Sequence, residues 1–309
     1  NTHVAAIRGN FDDAQTGVKN IFGDKALKEE LEKRGCQLSS ANSINIGRLV
    51  PQIVYYVYAY AKLLANEEIN QGEKINVAVP TGNFGNILAA YLAKQMGVPI
   101  GKLICASNEN KVLYDFFATG TYDKNREFIL TTSPSMDILI SSNLERLIYL
   151  SAGCDPKENE KLMSQLSREG KYTITDEMKA FLSDFYGGYA TEEENRQMIR
   201  KVFDDTGYLI DTHTGVAAAV YEKYKKETGD QTKTVIASTA SPYKFSGSVL
   251  EAIEGRKEEG DEFAVIDRLH QLSGLPIPQA VEEIRTAPTR HNLECGKDEM
   301  KELVRSLLA

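Results

Sequence analysis

Residues Lys74 to Met96 read KINVAVPTGNFGNILAAYLAKQM. Val77, Ala78 and Val79 form a short apolar run of the kind that buries in a sheet, and Pro80 closes it, because proline has no N–H to give to a ladder. Gly82-Asn83-Phe84-Gly85-Asn86 follows, after which Ile87, Leu88, Tyr91, Leu92 and Met96 recur at helical spacing. The order is strand, glycine loop, helix. Such an order makes an anion site: glycine lets the backbone approach a ligand closely, successive N–H groups turn inward, and the next helix offers unpaired N–H groups and the positive end of its dipole. Phosphate is the natural guest, the dipole alone contributing about 0.3–2 kcal/mol. The plainer reading of the same residues is an ordinary strand-to-helix turn.

Two familiar phosphate loops do not fit. A Walker loop ends in Gly-Lys-Ser/Thr, whereas Gly85 is followed by Asn86 and Ile87. A dinucleotide fingerprint needs G-x-G-x-x-G, and here two glycines stand three apart with none following.

Working outward, the alternation continues on both sides. Upstream, His3 to Ile7 reads as a strand, and Asp12 or Asp13 can cap a helix running through Ile21. Gly35 to Ala41 carries the chain out of that region and marks the best domain boundary. Ile46 to Leu64 reads as one helix that is apolar on more than one side, which predicts deep burial, with Pro51 as a kink or near the first turn. Downstream, Lys102 to Ala106 is a strand, and Asn108 and Asn110 lie just past its end, where open α/β sheets place their ligands. Val112 to Phe117 and Ile138 to Leu150 read as helices.

From Asp155 to Asp205 charges dominate, and three amphipathic pieces suggest a helical insertion, one opened by Thr175 and one by Thr191 with Glu194 as a capping box. Tyr208 to Ile210 and Thr234 to Ser238 read as strands, with a helix from Val216 to Tyr224 between them. Helices over Gly247 to Gly255, Phe263 to Leu272, Pro278 to Ile284 and Lys297 to Leu308, with a turn at Glu259 to Asp261, close the chain. The predicted class is α/β, a mainly parallel twisted sheet flanked by helices, with a helical insertion at about 155–205.

Composition bounds the function. In 309 residues, 42% hydrophobic content supplies a real core, and a net charge of −8 argues against nucleic acid or an anionic membrane as partner. Any anion must be held locally. Cys36, Cys105, Cys154 and Cys295 are scattered without a C-x-x-C pair, so neither a zinc site nor a disulfide framework is expected. With no signal peptide and no long apolar run, the expected location is the cytoplasm.

PTGNFGN (80–86) does not stand alone. Asn42-Ser43-Ile44-Asn45-Ile46-Gly47-Arg48 precedes it, and Ala106 to Asn110, Met136-Asp137, His213-Thr214 and Ser238-Thr239-Ala240-Ser241-Pro242-Tyr243-Lys244-Phe245 follow in order. From about Thr2 to about Ile253 this combination resembles the threonine synthase family, pyridoxal phosphate (PLP) enzymes of fold type II. The resemblance implies that Thr81, Gly82, Asn83, Phe84, Gly85 and Asn86 take the cofactor phosphate and that Thr239 faces the ring nitrogen. It also implies that Asn42, Ser43, Asn45 and Arg48 belong to the substrate pocket. The bare residues admit another reading: Asn42 or Ser43 as a helix cap, Arg48 as a surface charge, Thr239 as a strand-end cap, and Asn108 and Asn110 as caps. His213 reads best as a helix-entry residue that orients backbone. Ser241 and Tyr243 replace the histidine and alanine common in the family.

In that family the Schiff-base lysine sits in G-P-T-x-x-F-K-D, followed by an S-G-D-T-G loop, and neither occurs in this chain. No catalytic residue is therefore assigned, neither Lys62 nor Lys244 matching that motif. The resemblance implies a C-terminal two-thirds of a threonine synthase, with the missing N-terminal part as its partner. Residues 1–40 would be a remnant of the smaller cofactor domain and 41–309 the large domain. The intact enzyme, a carbon–oxygen lyase, would convert O-phosphohomoserine and water to threonine and phosphate, this chain alone being inactive. The alternatives are a non-catalytic anion- or nucleotide-binding module, or another fold type II PLP lyase.

Overall fold

The computed structural model describes residues 2–257 and 260–307. Its strands in chain order are β1 (Ala5–Arg8), β2 (Ile75–Pro80), β3 (Ile100–Ser107), β4 (Thr121–Asp123), β5 (Lys171–Thr173), β6 (Phe185–Tyr189), β7 (Thr234–Ile236) and β8 (Leu293–Gly296). Two compact units carry them: Asn1–Ala41 with Pro278–Ala309, and Asn42–Ile277.

In the second unit β6, β3, β2 and β7 lie side by side in that order, every neighbouring pair parallel. Alternate residues serve opposite faces. Val77, Val79, Leu103 and Cys105 join Leu88 of the Gly85–Gln95 helix in one cluster, while Ala78, Ile104 and Ala106 join Val216, Ala217 and Val220 of the Thr212–Thr228 helix in another. Helices on both faces are why β2 and the inner part of β3 read as unbroken apolar runs rather than as alternations. No described helix is long and apolar enough to cross a membrane.

Several expectations are corrected. The segment 155–205 holds the three expected helices, Pro156–Glu169, Asp176–Phe181 and Glu192–Thr206, with the Thr175 cap and the Thr191–Glu194 capping box in place. It is not a helical insertion throughout, because Phe185–Tyr189 is the outer strand of the main sheet and Lys171–Thr173 pairs antiparallel with β4. The strand FYGGY needs its glycines. A Cβ on Gly187 would stand 2.9 Å from Phe117 Cβ, and one on Gly188 would stand 2.5 Å from Val220 Cγ1.

Tyr208 to Ile210 is not a strand, and β7 is a half-buried edge strand of three residues rather than a buried one. Ile46 to Leu64 breaks into Ile46–Leu49, a 3-10 turn Val50–Gln52 around Pro51, and Ile53–Ala65. Deep burial of that stretch is contradicted too: Tyr56 and Tyr60 are buried, but Val54, Tyr55, Val57 and Tyr58 are exposed. Ile138 to Asn143 is irregular, with helix only over Leu144–Ser151.

In the first unit β1 and β8 pair in parallel, Ala5 opposite Leu293 and Ile7 opposite Cys295. Helices Phe11–Gly23, Lys25–Lys33 and Met300–Leu307 enclose a core of Ile21, Leu27, Leu31, Cys295 and Met300. The first helix is capped by Asn10, with Asp13 as the third residue of a capping box; the Asp12 side chain lies outside the described residues, as do Leu308 and Glu259. Because β8 is paired to β1, residues 278–309 cluster with the start of the chain, so 41–309 is not one domain.

Candidate functional site

β2 runs into Pro80, and the chain then turns through Thr81 to Phe84 into the Gly85–Gln95 helix. Phe84 caps that helix in the left-handed region, φ 64°, a conformation usually left to glycine or asparagine. Aromatic packing fixes it there: its ring is buried, 6.2 Å from Phe117 and 5.8 Å from Phe185. The glycines on either side answer to protein neighbours. A Cβ on Gly82 would meet Ser135 O at 2.3 Å, and one on Gly85 would meet Ser43 Oγ at 2.5 Å.

The loop's two kinds of backbone group are treated differently. Ser141 Oγ donates to Gly82 O at 2.7 Å, the amide and side chain of Asn143 both donate to Asn83 O, and Leu88 N–H donates to Phe84 O. The N–H groups from Gly82 to Ile87 have no hydrogen-bond partner among the described residues. Burying such donors unpaired costs free energy, so they are poised for an acceptor.

They border a cavity of about 280 Å³ at the carboxyl ends of β2 and β7. Thr239, Gln52, Ser135, Met136, His213 and Lys244 complete its wall. Among the described residues no aspartate or glutamate lines it. A lysine, free amides and an absence of carboxylates among the lining residues suit a dianionic phosphate. The Thr239 hydroxyl has no partner among the described residues, which leaves it able to meet a ring nitrogen.

Thr81 to Asn86 and Thr239 are thus brought together, with Ser43 beside them. Thr81 is buried and its hydroxyl donates to Val79 O at 2.7 Å, so it secures the strand end rather than offering a proton to a ligand. Beneath it, burial pushes the Cys105 thiol up to about 12, which makes that cysteine a packing group and no nucleophile. Tyr56 OH donates to Asn86 Oδ1, leaving the Asn86 amide N–H groups for the cavity.

Asn42, Asn45 and Arg48 are not among the lining residues. Asn42 Oδ1 accepts the Ile44 N–H at 3.2 Å, and Asn45 Oδ1 caps the next helix through Gly47 N–H at 3.0 Å. Their short polar side chains are spent on their own turns, and Arg48 is exposed. Asn108 and Asn110 are equally committed: both donate to the buried Asp137 carboxylate, at 2.7 and 3.1 Å, and so bind the 129–137 segment to the end of β3.

His213 is 3% exposed. Its Nδ1–H donates to Asp211 Oδ1 at 3.1 Å and its Nε2 accepts the Ser135 N–H at 3.2 Å, which fixes the tautomer and leaves neither nitrogen over. Burial would raise the Asp211 carboxyl, but hydrogen bonds from His213 and Thr214 outweigh it and hold that group below its ordinary range. Ser241 and Tyr243 look away from the cavity: Ser241 Oγ accepts the Tyr243 N–H, and Tyr243 OH donates to Leu275 O.

Sequence reading missed Asn143. Its side chain is fully buried and donates to Ser43 Oγ and to Asn83 O, both at 2.9 Å, while its Oδ1 accepts from Arg146 Nε. One amide therefore joins the loop to the 42–48 stretch across sixty and a hundred residues of chain, a separation no local word records.

A family model described as "Threonine synthase, C-terminal" matches residues 214–290. Threonine synthase-like 1 of Macaca fascicularis is 41% identical over 279 residues, covering 89% of this chain and 37% of that relative. The PLP-bound threonine synthase of Brucella melitensis superposes with a TM-score of 0.75 at 34% identity, over 99% of this chain and 59% of its own. The yeast threonine synthase superposes with a TM-score of 0.79 at 30% identity, over 99% of this chain and 58% of its own. The chain spans between a third and three-fifths of the length of these proteins. In sequence across nine-tenths of its length, and in fold across nearly all of it, this chain is similar to the threonine synthases, and residues 214–290 match the C-terminal domain of that family.

Proposed function

We propose that the Asn42–Ile277 unit holds PLP, with the phosphate on the amides of Gly82 to Ile87 and the ring nitrogen beside the Thr239 hydroxyl. We also propose that the intact protein converts O-phosphohomoserine and water to threonine and phosphate. The observation that carries the reading is the loop itself: carbonyls tied to Ser141 and Asn143, amides without partners, opening on a cavity without carboxylates.

When bound, PLP supplies an electron sink that acidifies protons on the substrate carbons near its amine. The residues of this chain hold and orient. An uncharged hydroxyl at position 239 would leave the ring nitrogen unprotonated, which would moderate that sink. Lys244 brings the cavity a positive charge for an anionic substrate. His213 keeps the Ser135 backbone under Gly82, with both nitrogens engaged. Lys244 lines the cavity and Arg48 does not, so this reading gives the substrate's anionic group to Lys244. By itself the chain lacks the lysine-bearing F-K-D motif of the family, and the expected result on mixing it with PLP and O-phosphohomoserine is no phosphate release.

Titration of the chain with pyridoxal phosphate, pyridoxal and ATP, followed by the cofactor's absorbance and by calorimetry, tests the binding claim. Pyridoxal phosphate should bind well above pyridoxal. Equal affinity for the two would remove the phosphate from the argument, and tighter ATP binding would favour a nucleotide module using the same loop.

A further inference from the structure

A second cavity, of about 450 Å³, lies in the same unit and shares no lining residue with the first. Ile46, Leu49, Leu88, Leu92 and Leu150 give it apolar walls, and Glu145, Arg146 and Asn159 bring polar groups to them. Each polar group is left with something to give. Arg146 donates through Nε to Asn143 Oδ1 at 3.2 Å and through one Nη to Ile44 O at 2.9 Å. No ion pair to a carboxylate engages it among the described residues, and its other Nη is uncommitted. Asn159 Nδ2 donates to Glu145 Oε1 at 3.2 Å, while Asn159 Oδ1 is a buried acceptor without a partner.

We infer that this cavity is a ligand site for an α-amino acid with an aliphatic side chain. The guanidinium of Arg146 takes the carboxylate. Asn159 Oδ1, with the Glu145 carboxylate next to it, takes the ammonium. The leucine and isoleucine walls take the side chain, and a pocket of mostly apolar surface with a few placed polar groups is the usual form of a small-molecule site. A purely apolar guest would leave the Arg146 charge and the Asn159 acceptor unmet, and a purely polar one would leave the walls wet. The inference does not depend on the cofactor reading, since the two cavities are separate.

Calorimetric titration of the 309-residue chain with L-leucine, 4-methylpentanoate and 3-methylbutylamine tests it. L-leucine should bind, and each truncated probe, lacking the ammonium or the carboxylate, should bind at least about tenfold more weakly. N159L, which removes the buried acceptor, should lose leucine affinity by about tenfold with an unchanged melting temperature and unchanged binding of pyridoxal phosphate. R146K, kept charged to preserve the fold, should weaken leucine through the lost fork. No heat and no thermal protection at millimolar leucine would overturn the inference, as would equal binding of the three probes or full binding by N159L.

Discussion

The loop at 82–87 and the stretch at 42–48 were both singled out by their residues, yet they meet the cavity differently. The first contributes backbone, and all six of its residues line the wall. The second was to contribute side chains, and only Ser43 arrives, because Asn42 and Asn45 close their own turns. A site made of amides is set by local backbone path, which local sequence controls. A site made of side chains depends on where a whole element is carried, and that is decided by distant packing.

The contrast can be broken at its strongest point with G82V. A side chain there collides with Ser135 O, and overpacking of this kind typically costs about 1–3 kcal/mol, or more where the obstacle is backbone. Urea denaturation should show at least that loss, and pyridoxal phosphate binding should vanish. Survival of both would mean the loop is far softer than its contacts indicate. N143L cuts the link between the two regions: the part-buried groups of Ser43 and Asn83 lose a donor from the buried Asn143, at about 1–3 kcal/mol of stability. Pyridoxal phosphate should bind more weakly as the loop loosens.

D211N sharpens the comparison from behind the cavity, with an expected cost of about 1–2 kcal/mol. The native carboxyl is held below its ordinary value of 3.8. A depressed carboxyl stabilises the fold above the unfolded value and ceases to do so as pH falls through the folded one. The stability gap between wild type and D211N should therefore be full near neutrality and shrink on acidification through and below that value. A gap that widened in acid would reverse the assignment. Smallest of all, R48A should change pyridoxal phosphate affinity by less than about twofold, since surface charges away from a site contribute little. A tenfold loss would restore Arg48 to the pocket.

How far the residues disclosed the molecule follows the same division. β2, its loop and the helix after it were legible, because apolar run, glycines and helical repeat lie within twenty-three residues. β6 was not. FYGGY carries no alternation, and its glycines exist to admit Phe117 and Val220, which only the assembled sheet brings there. β8 was missed for a related reason: its partner, β1, is nearly three hundred residues away, and four residues of mixed character announce nothing alone. The Ile53–Ala65 helix shows the opposite failure. Its all-round apolar surface promised burial, yet Val54, Tyr55 and Tyr58 are more than half exposed; composition records that a surface is greasy, not what lies over it. At the cavity, Thr239 and the loop stand in stretches that were legible beforehand, whereas the link through Asn143 needed the fold.

The left-handed turn at Phe84, locked by two other phenylalanine rings while Ser141 and Asn143 hold the neighbouring oxygens, has a kinetic corollary. Nothing in the cradle has to rearrange when an anion arrives. Stopped-flow mixing with pyridoxal phosphate should give an observed rate that climbs in a straight line with concentration and never levels off, the mark of a guest docking onto a finished surface.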